Sequence, residues 1–153
     1  MAEKGKDIEV INTHLKEGRV DKAIELTKKI LNESPGDEKI RALLGLAYIR
    51  NGRYDEGIAE CREALKINPN YVEAYVTLGK GALRKGDYEE AIEVLTKALE
   101  LEPENKDAHY QLGLAYDHLG MAGKAKEEYR KVYEKPAPEK EKETKEKTKG
   151  KTK

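Results

Sequence analysis

The sequence predicts an all-α solenoid built from about four helix-turn-helix repeats. Three observations carry that expectation. A 34-residue period runs through most of the chain without a gap. Each period holds two amphipathic stretches separated by a glycine. Trp and Phe are absent from the 153 residues, 37% are apolar and 39% charged, which suits a thin, elongated core rather than one aromatic centre.

The period is plainest where GRYDEGIAECREALKINP, from Gly52 to Pro69, returns as GDYEEAIEVLTKALELEP from Gly86 to Pro103. Extending the frame gives repeats at 4–37, 38–71, 72–105 and 106–135. Gly18, Gly52, Gly86 and Gly120 form one column, Ala23, Gly57, Ala91 and Ala125 a second, and Pro35, Pro69 and Pro103 a third. The first repeat departs most, with Ile11 where the others have glycine and Val20 in place of tyrosine. In the third, Tyr75, Leu78, Gly79 and Ala82 share one helical face, and Gly86 then interrupts. Tyr88, Ala91, Ile92, Leu95, Ala98 and Leu99 mark the second helix; Asp87 is expected to cap it and Pro103 to prevent its continuation. One helix pair cannot bury its own apolar face, so the repeats must stack.

Two features carry sharper expectations. Gly57 shares its column with three alanines, so a methyl group is expected to fit there. In the fourth repeat Lys126 follows Ile24, Ile58 and Ile92, Lys135 follows Ile67 and Leu101, and Tyr133 follows Leu31, Leu65 and Leu99. That polar shift predicts a terminal repeat, with Tyr129, Val132 and Tyr133 leaving an apolar strip. Beyond it, PAPEKEKETKEKTKGKTK (136–153) has no apolar side chain larger than alanine and predicts a disordered Lys/Glu-rich tail.

Composition narrows the function classes. The formal net charge is zero, which argues against a nucleic-acid binder. Cys61 is the single cysteine, so an intrachain disulfide is impossible. No signal-like or membrane-length apolar run occurs, and a cytoplasmic, non-membrane protein is expected. The glycines stand at repeat joints rather than in a phosphate loop, and His14, His109 and His118 have no metal-ligand spacing. His109 shares a column with Arg41 and Tyr75, which points to packing at a helix joint. No cofactor, no metal and no enzymatic activity are expected.

The period together with Leu78-Gly79, Gly86, Tyr88, Ala91, Ala98 and Pro103 resembles the tetratricopeptide repeat family. Leu44-Gly45, Tyr48, Gly52, Tyr54, Ala64 and Pro69 match in the second repeat, and Leu112-Gly113, Tyr116, Gly120, Ala125 and Tyr129 in the fourth. The resemblance spans about 4–135. It implies a right-handed α-solenoid whose first helices line a concave groove for a protein or peptide segment. Carried onto this chain, the groove columns are Ile8, Ala42, Val76 and Tyr110; Asn12, Leu46, Lys80 and Leu114; Leu15, Ile49, Leu83 and Asp117; and Lys16, Arg50, Arg84 and His118. Leu15, Ile49 and Leu83 are expected to be apolar groove residues outside the repeat packing, with the basic column beside them favouring an acidic amphipathic segment. Some members grip chaperone C-termini with Lys, Asn and Arg; here Ile8, Asn12, Leu43, Glu73 and Thr77 stand at those places, and only Asn12 fits. The implied role is a peptide-binding adaptor, monomeric or weakly homo-oligomeric. The alternative is a self-assembling scaffold using the last helix or the groove.

Overall fold

The computed structural model describes residues 2–134, with side chains from residue 5 onward. The tail expected at 136–153 lies outside these residues. The described elements are helices in four successive pairs: α1 (Ala2–Lys16) and α2 (Val20–Glu33), α3 (Glu38–Arg50) and α4 (Tyr54–Ile67), α5 (Val72–Lys85) and α6 (Tyr88–Leu101), α7 (Lys106–His118) and α8 (Ala122–Tyr133). Each helix packs on its successor, so the pairs form a helical repeat solenoid. The backbones of successive first helices also approach one another, whereas those of successive second helices stay apart and α4 reaches α6 by a side-chain ion pair, Arg62 to Glu90. The first helices therefore lie on the inner side of the curve.

One turn joins the helices of every pair. Gly18, Gly52, Gly86 and Gly120 have φ between +75° and +88°, a left-handed conformation that a Cβ disfavours. The following amide donates five residues back: Arg19 to the His14 carbonyl, Arg53 to Tyr48, Asp87 to Ala82 and Met121 to Tyr116. These are Schellman turns, and they satisfy carbonyls that the helix end would otherwise orphan. Capping side chains act elsewhere than expected. Asp87 stands at the N-cap of α6 but makes no capping bond; its carboxylate instead lies 3.7 Å from Lys85 Nζ. The side-chain caps belong to first helices, where Asp37 accepts from the amides of Lys39 and Ile40, and Asn105 from Ala108.

The proline column has a use beyond stopping helices. Arg41 Nε donates to the Pro35 carbonyl at 3.2 Å, Tyr75 Oη to Pro69 at 2.9 Å, and His109 Nε2 to Pro103 at 2.7 Å. Three chemically different side chains at one repeat position thus bind the loop between pairs. Two of them reach sideways as well: Arg41 to Glu60 at 3.1 Å and His109 Nδ1 to Glu128 at 2.6 Å. His109 is buried at a joint, as its column implies.

Inside each pair, one contact sets the packing distance. A Cβ on Gly79 would meet the Leu95 side chain at 2.6 Å, and one on Gly113 would collide with the Tyr129 ring. In the first repeat the bulk is exchanged, with buried Ile11 in the glycine column and Thr27 in the column of Leu95. Gly57 overturns its sequence expectation. A Cβ there would lie 2.6 Å from both the Gly45 carbonyl oxygen and Ile49 Cγ1. Where Ile49 stands, the other repeats have Leu15, Leu83 and Asp117, none branched at Cβ. The Gly45 carbonyl and the Cγ1–Cδ1 arm of Ile49 together fill the space that an alanine methyl would need.

The outer faces also differ from the simple column reading. Ile67 and Leu101 are 43% and 41% exposed, so they are not joint residues. Ile24 and Ile58 are buried, Ile92 is partly buried against the core, and Lys126 is exposed. Tyr133 is 73% exposed on the outer face of α8.

Candidate peptide-binding groove

The inner layer of first helices encloses an open pocket of about 590 Å³. All four pairs contribute: Ile8 and Asn12 from α1, Lys39, Ala42, Leu43 and Leu46 from α3, Glu73, Val76, Thr77 and Lys80 from α5, and Asp107 from α7. Tyr71 and Asn105 close it from the residues that precede α5 and α7. The floor is apolar, with Ala42 and Val76 packed into the core beneath it. A second pocket of about 570 Å³ adjoins it through Leu46 and Lys80, and adds Ile49, Arg50, Arg84 and Gln111.

The expected groove residues separate into three groups. Ile8, Asn12, Ala42, Leu46, Val76 and Lys80 meet in the central pocket, and Ile49, Arg50 and Arg84 line the adjoining one. Leu15, Lys16, Leu83, Tyr110, Leu114, Asp117 and His118 line neither. The apolar column is a packing column after all: Leu15 and Ile49 are 4% and 6% exposed, and Leu83 packs against the core around Leu95. Asp117 accepts from the Tyr129 hydroxyl at 2.6 Å, and His118 stacks on Tyr88 with ring centroids 4.7 Å apart. Tyr110 lies against Tyr129.

Periodic reading underused several lining residues. Lys39, Glu73 and Asp107 form one 34-residue column, and Tyr71 and Asn105 share another. The signal was present, but these positions belong to the N-terminal ends of the first helices. All five positions compared with the chaperone clamp, Ile8, Asn12, Leu43, Glu73 and Thr77, do converge in the central pocket. Their side chains are predominantly apolar or acidic there.

One ion pair and one hydrogen bond engage three of the four charged residues that line the central pocket. Lys80 Nζ lies 2.7 Å from Asp107, and the Tyr71 hydroxyl donates to Glu73. Burial, followed by that bond to Glu73, pushes the Tyr71 hydroxyl above its ordinary range. In the adjoining pocket Arg50 Nη1 donates to the Leu15 carbonyl at 3.1 Å, one pair upstream. Arg84 makes no hydrogen bond or ion pair among the described residues. No group of three or more His, Cys, Asp or Glu among these residues could hold a metal ion. No helix among them is long and apolar enough to cross a membrane.

Tetratricopeptide repeat models match residues 14–78 and 107–137, and a TPR repeat model matches 83–120. A crystal structure of MamA is 30% identical, with a TM-score of 0.68 over 80% of this chain and 72% of that one. The chain belongs to the tetratricopeptide repeat family. A second tetratricopeptide structure, the first TPR of Spaghetti (RPAP3) bound to the HSP90 peptide SRMEEVD, is 28% identical with a TM-score of 0.68, covering 73% of this chain and 89% of that one. TTC0263, a thermophilic TPR protein of Thermus thermophilus, shares the fold at a TM-score of 0.78 and 23% identity, over 84% of this chain and 72% of that one. No curated protein matches the sequence.

Proposed function

We propose that this tetratricopeptide repeat chain is a non-catalytic, cytoplasmic interaction module that binds a peptide segment of a protein partner in its inner groove. The observation that carries this reading is the central pocket, to which the first helix of every repeat contributes. Such a site is assembled by stacking and has an apolar floor with a polar rim, the usual make-up of a ligand pocket. The Spaghetti structure, with its bound HSP90 peptide, supports peptide binding by a similar array. The cationic lining of the adjoining pocket favours a segment with acidic residues.

The test compares wild type with Asn12→Arg/Leu46→Arg, which crowds the pocket from two helices. A partner recovered from source lysate and then purified should lose binding to the double variant while its melting temperature stays near wild type. Equal binding would overturn the groove reading. A second reading, self-assembly through α8, is favoured by the exposure of Tyr133. Light scattering across a concentration series would detect it, and Tyr133→Ser should abolish it.

A further inference from the structure

The two pockets differ in electrostatic character, and the difference specifies a ligand. In the central pocket two cations, Lys39 and Lys80, face two carboxylates, Glu73 and Asp107. Lys80 and Asp107 neutralise each other at 2.7 Å, and Glu73 already accepts from Tyr71. A carboxylate entering this site would find one unpaired cation among the described residues, the exposed Lys39, and would shed water over an otherwise apolar floor, which is costly. An aliphatic side chain over the apolar floor has no such penalty. The adjoining pocket is lined by Arg50, Lys80 and Arg84 and by no carboxylate. Two of these cations are already engaged, Arg50 by the Leu15 carbonyl and Lys80 by Asp107. Arg84 keeps its full set of donors, a geometry suited to bidentate capture of a carboxylate.

Resting on the groove reading above, we infer that the site recognises an internal acidic segment in two parts: an aliphatic side chain in the central pocket and a Glu or Asp against Arg84. Val76 and Arg84 stand eight positions apart on α5, which is about 12 Å along the helix axis and matches three or four residues of extended peptide. The segment needs no free C-terminus, because the central pocket holds no pair of free cations to receive one. Its acidic residue, not a terminal carboxylate, supplies the charge.

The experiment screens two synthetic libraries of short peptides, one C-terminally amidated and one with free acids, against the full chain. The amidated library should yield binders with Leu, Ile, Val or Met three or four positions from Glu or Asp. The best such peptide should lose about tenfold or more in affinity on Arg84→Glu, and should lose binding on Asn12→Arg/Leu46→Arg. Changing its acidic residue to Lys should restore binding to the Arg84→Glu protein. The two-part inference is overturned if binders come only from the free-acid library, if they lack the acidic position, or if Arg84→Glu leaves them unchanged. Those outcomes leave the groove reading standing provided the Asn12→Arg/Leu46→Arg protein fails to bind. Binders indifferent to that double variant, or no binders from either library, overturn both readings.

Discussion

The imidazole of His109 lies between two acceptors, the Pro103 carbonyl at 2.7 Å from Nε2 and the Glu128 carboxylate at 2.6 Å from Nδ1. Arg41 makes the same pair of contacts at another joint, to Pro35 and Glu60, through a guanidinium. His109→Arg should therefore keep the joint intact, with a melting temperature near wild type. His109→Ala should cost about 1–3 kcal/mol, because a buried acceptor loses its donor. Chemical denaturation of both variants measures the contrast; equal losses would show that ring packing, not the two bonds, matters.

Gly57→Ala should destabilise the chain by about 1–3 kcal/mol, the usual range for overpacking. The gain in helix propensity, at most about 1 kcal/mol, is too small to offset it. Adding Ile49→Leu, which recreates the pairing of Leu83 with Ala91, should recover part of the loss. A urea melt of the single and double variants checks the sign at each step.

Arg50 and Arg84 occupy one column but should answer differently to charge reversal. Arg50→Glu removes the bond to the Leu15 carbonyl at the end of α1 and should cost about 1.5–3 kcal/mol, as for a charged donor. Arg84→Glu breaks no bond among the described residues and should stay within about 0.5 kcal/mol of wild type. Thermal melts at matched ionic strength separate the two.

Ile58 and Lys126 share another column with opposite burial. Ile58→Lys puts an ammonium among Cys61, Leu78 and Val94 and should cost several kcal/mol, on the order of 3 or more. Lys126→Ile changes an exposed position and should leave stability within about 0.5 kcal/mol. If light scattering shows association of Lys126→Ile, it would place the apolar strip beside Tyr133 at the contact.

Burial pushes the Cys61 thiol up to about 12, with a smaller contribution from Glu60. In the unfolded chain the thiol titrates near its ordinary value of 9.0, so above that pH the unfolded state gives up a proton that the folded state retains. This contribution to stability is full below about pH 9 and is lost as pH rises toward 12. Cys61→Ala should flatten that part of the curve. Thiol labelling of the native chain at about pH 8 should proceed only through unfolding.

The repeat order, helix pairing, turn glycines and buried columns such as Leu44, Leu78 and Leu112 were legible because each records a local requirement. A buried face must be apolar at helical spacing, and a left-handed turn must favour glycine; both leave a mark at every period. What the period could not carry is how neighbouring columns fit. Whether alanine is tolerated at Gly57 depends on how closely the Gly45 carbonyl and the Ile49 side chain of the facing helix approach it, and a column average erases that. Leu15 looked like a groove residue by position, yet it is buried in the core of the first two pairs and lines neither pocket. The two arginines of one column became a structural bond and an unpaired donor, because long side chains find whichever partner the stacked helices place within reach. Sequence by itself determined which residues face inward. Tertiary structure decided which of them fit, and which charges were left without a partner, since packing and charge pairing depend on distances between residues a whole repeat apart.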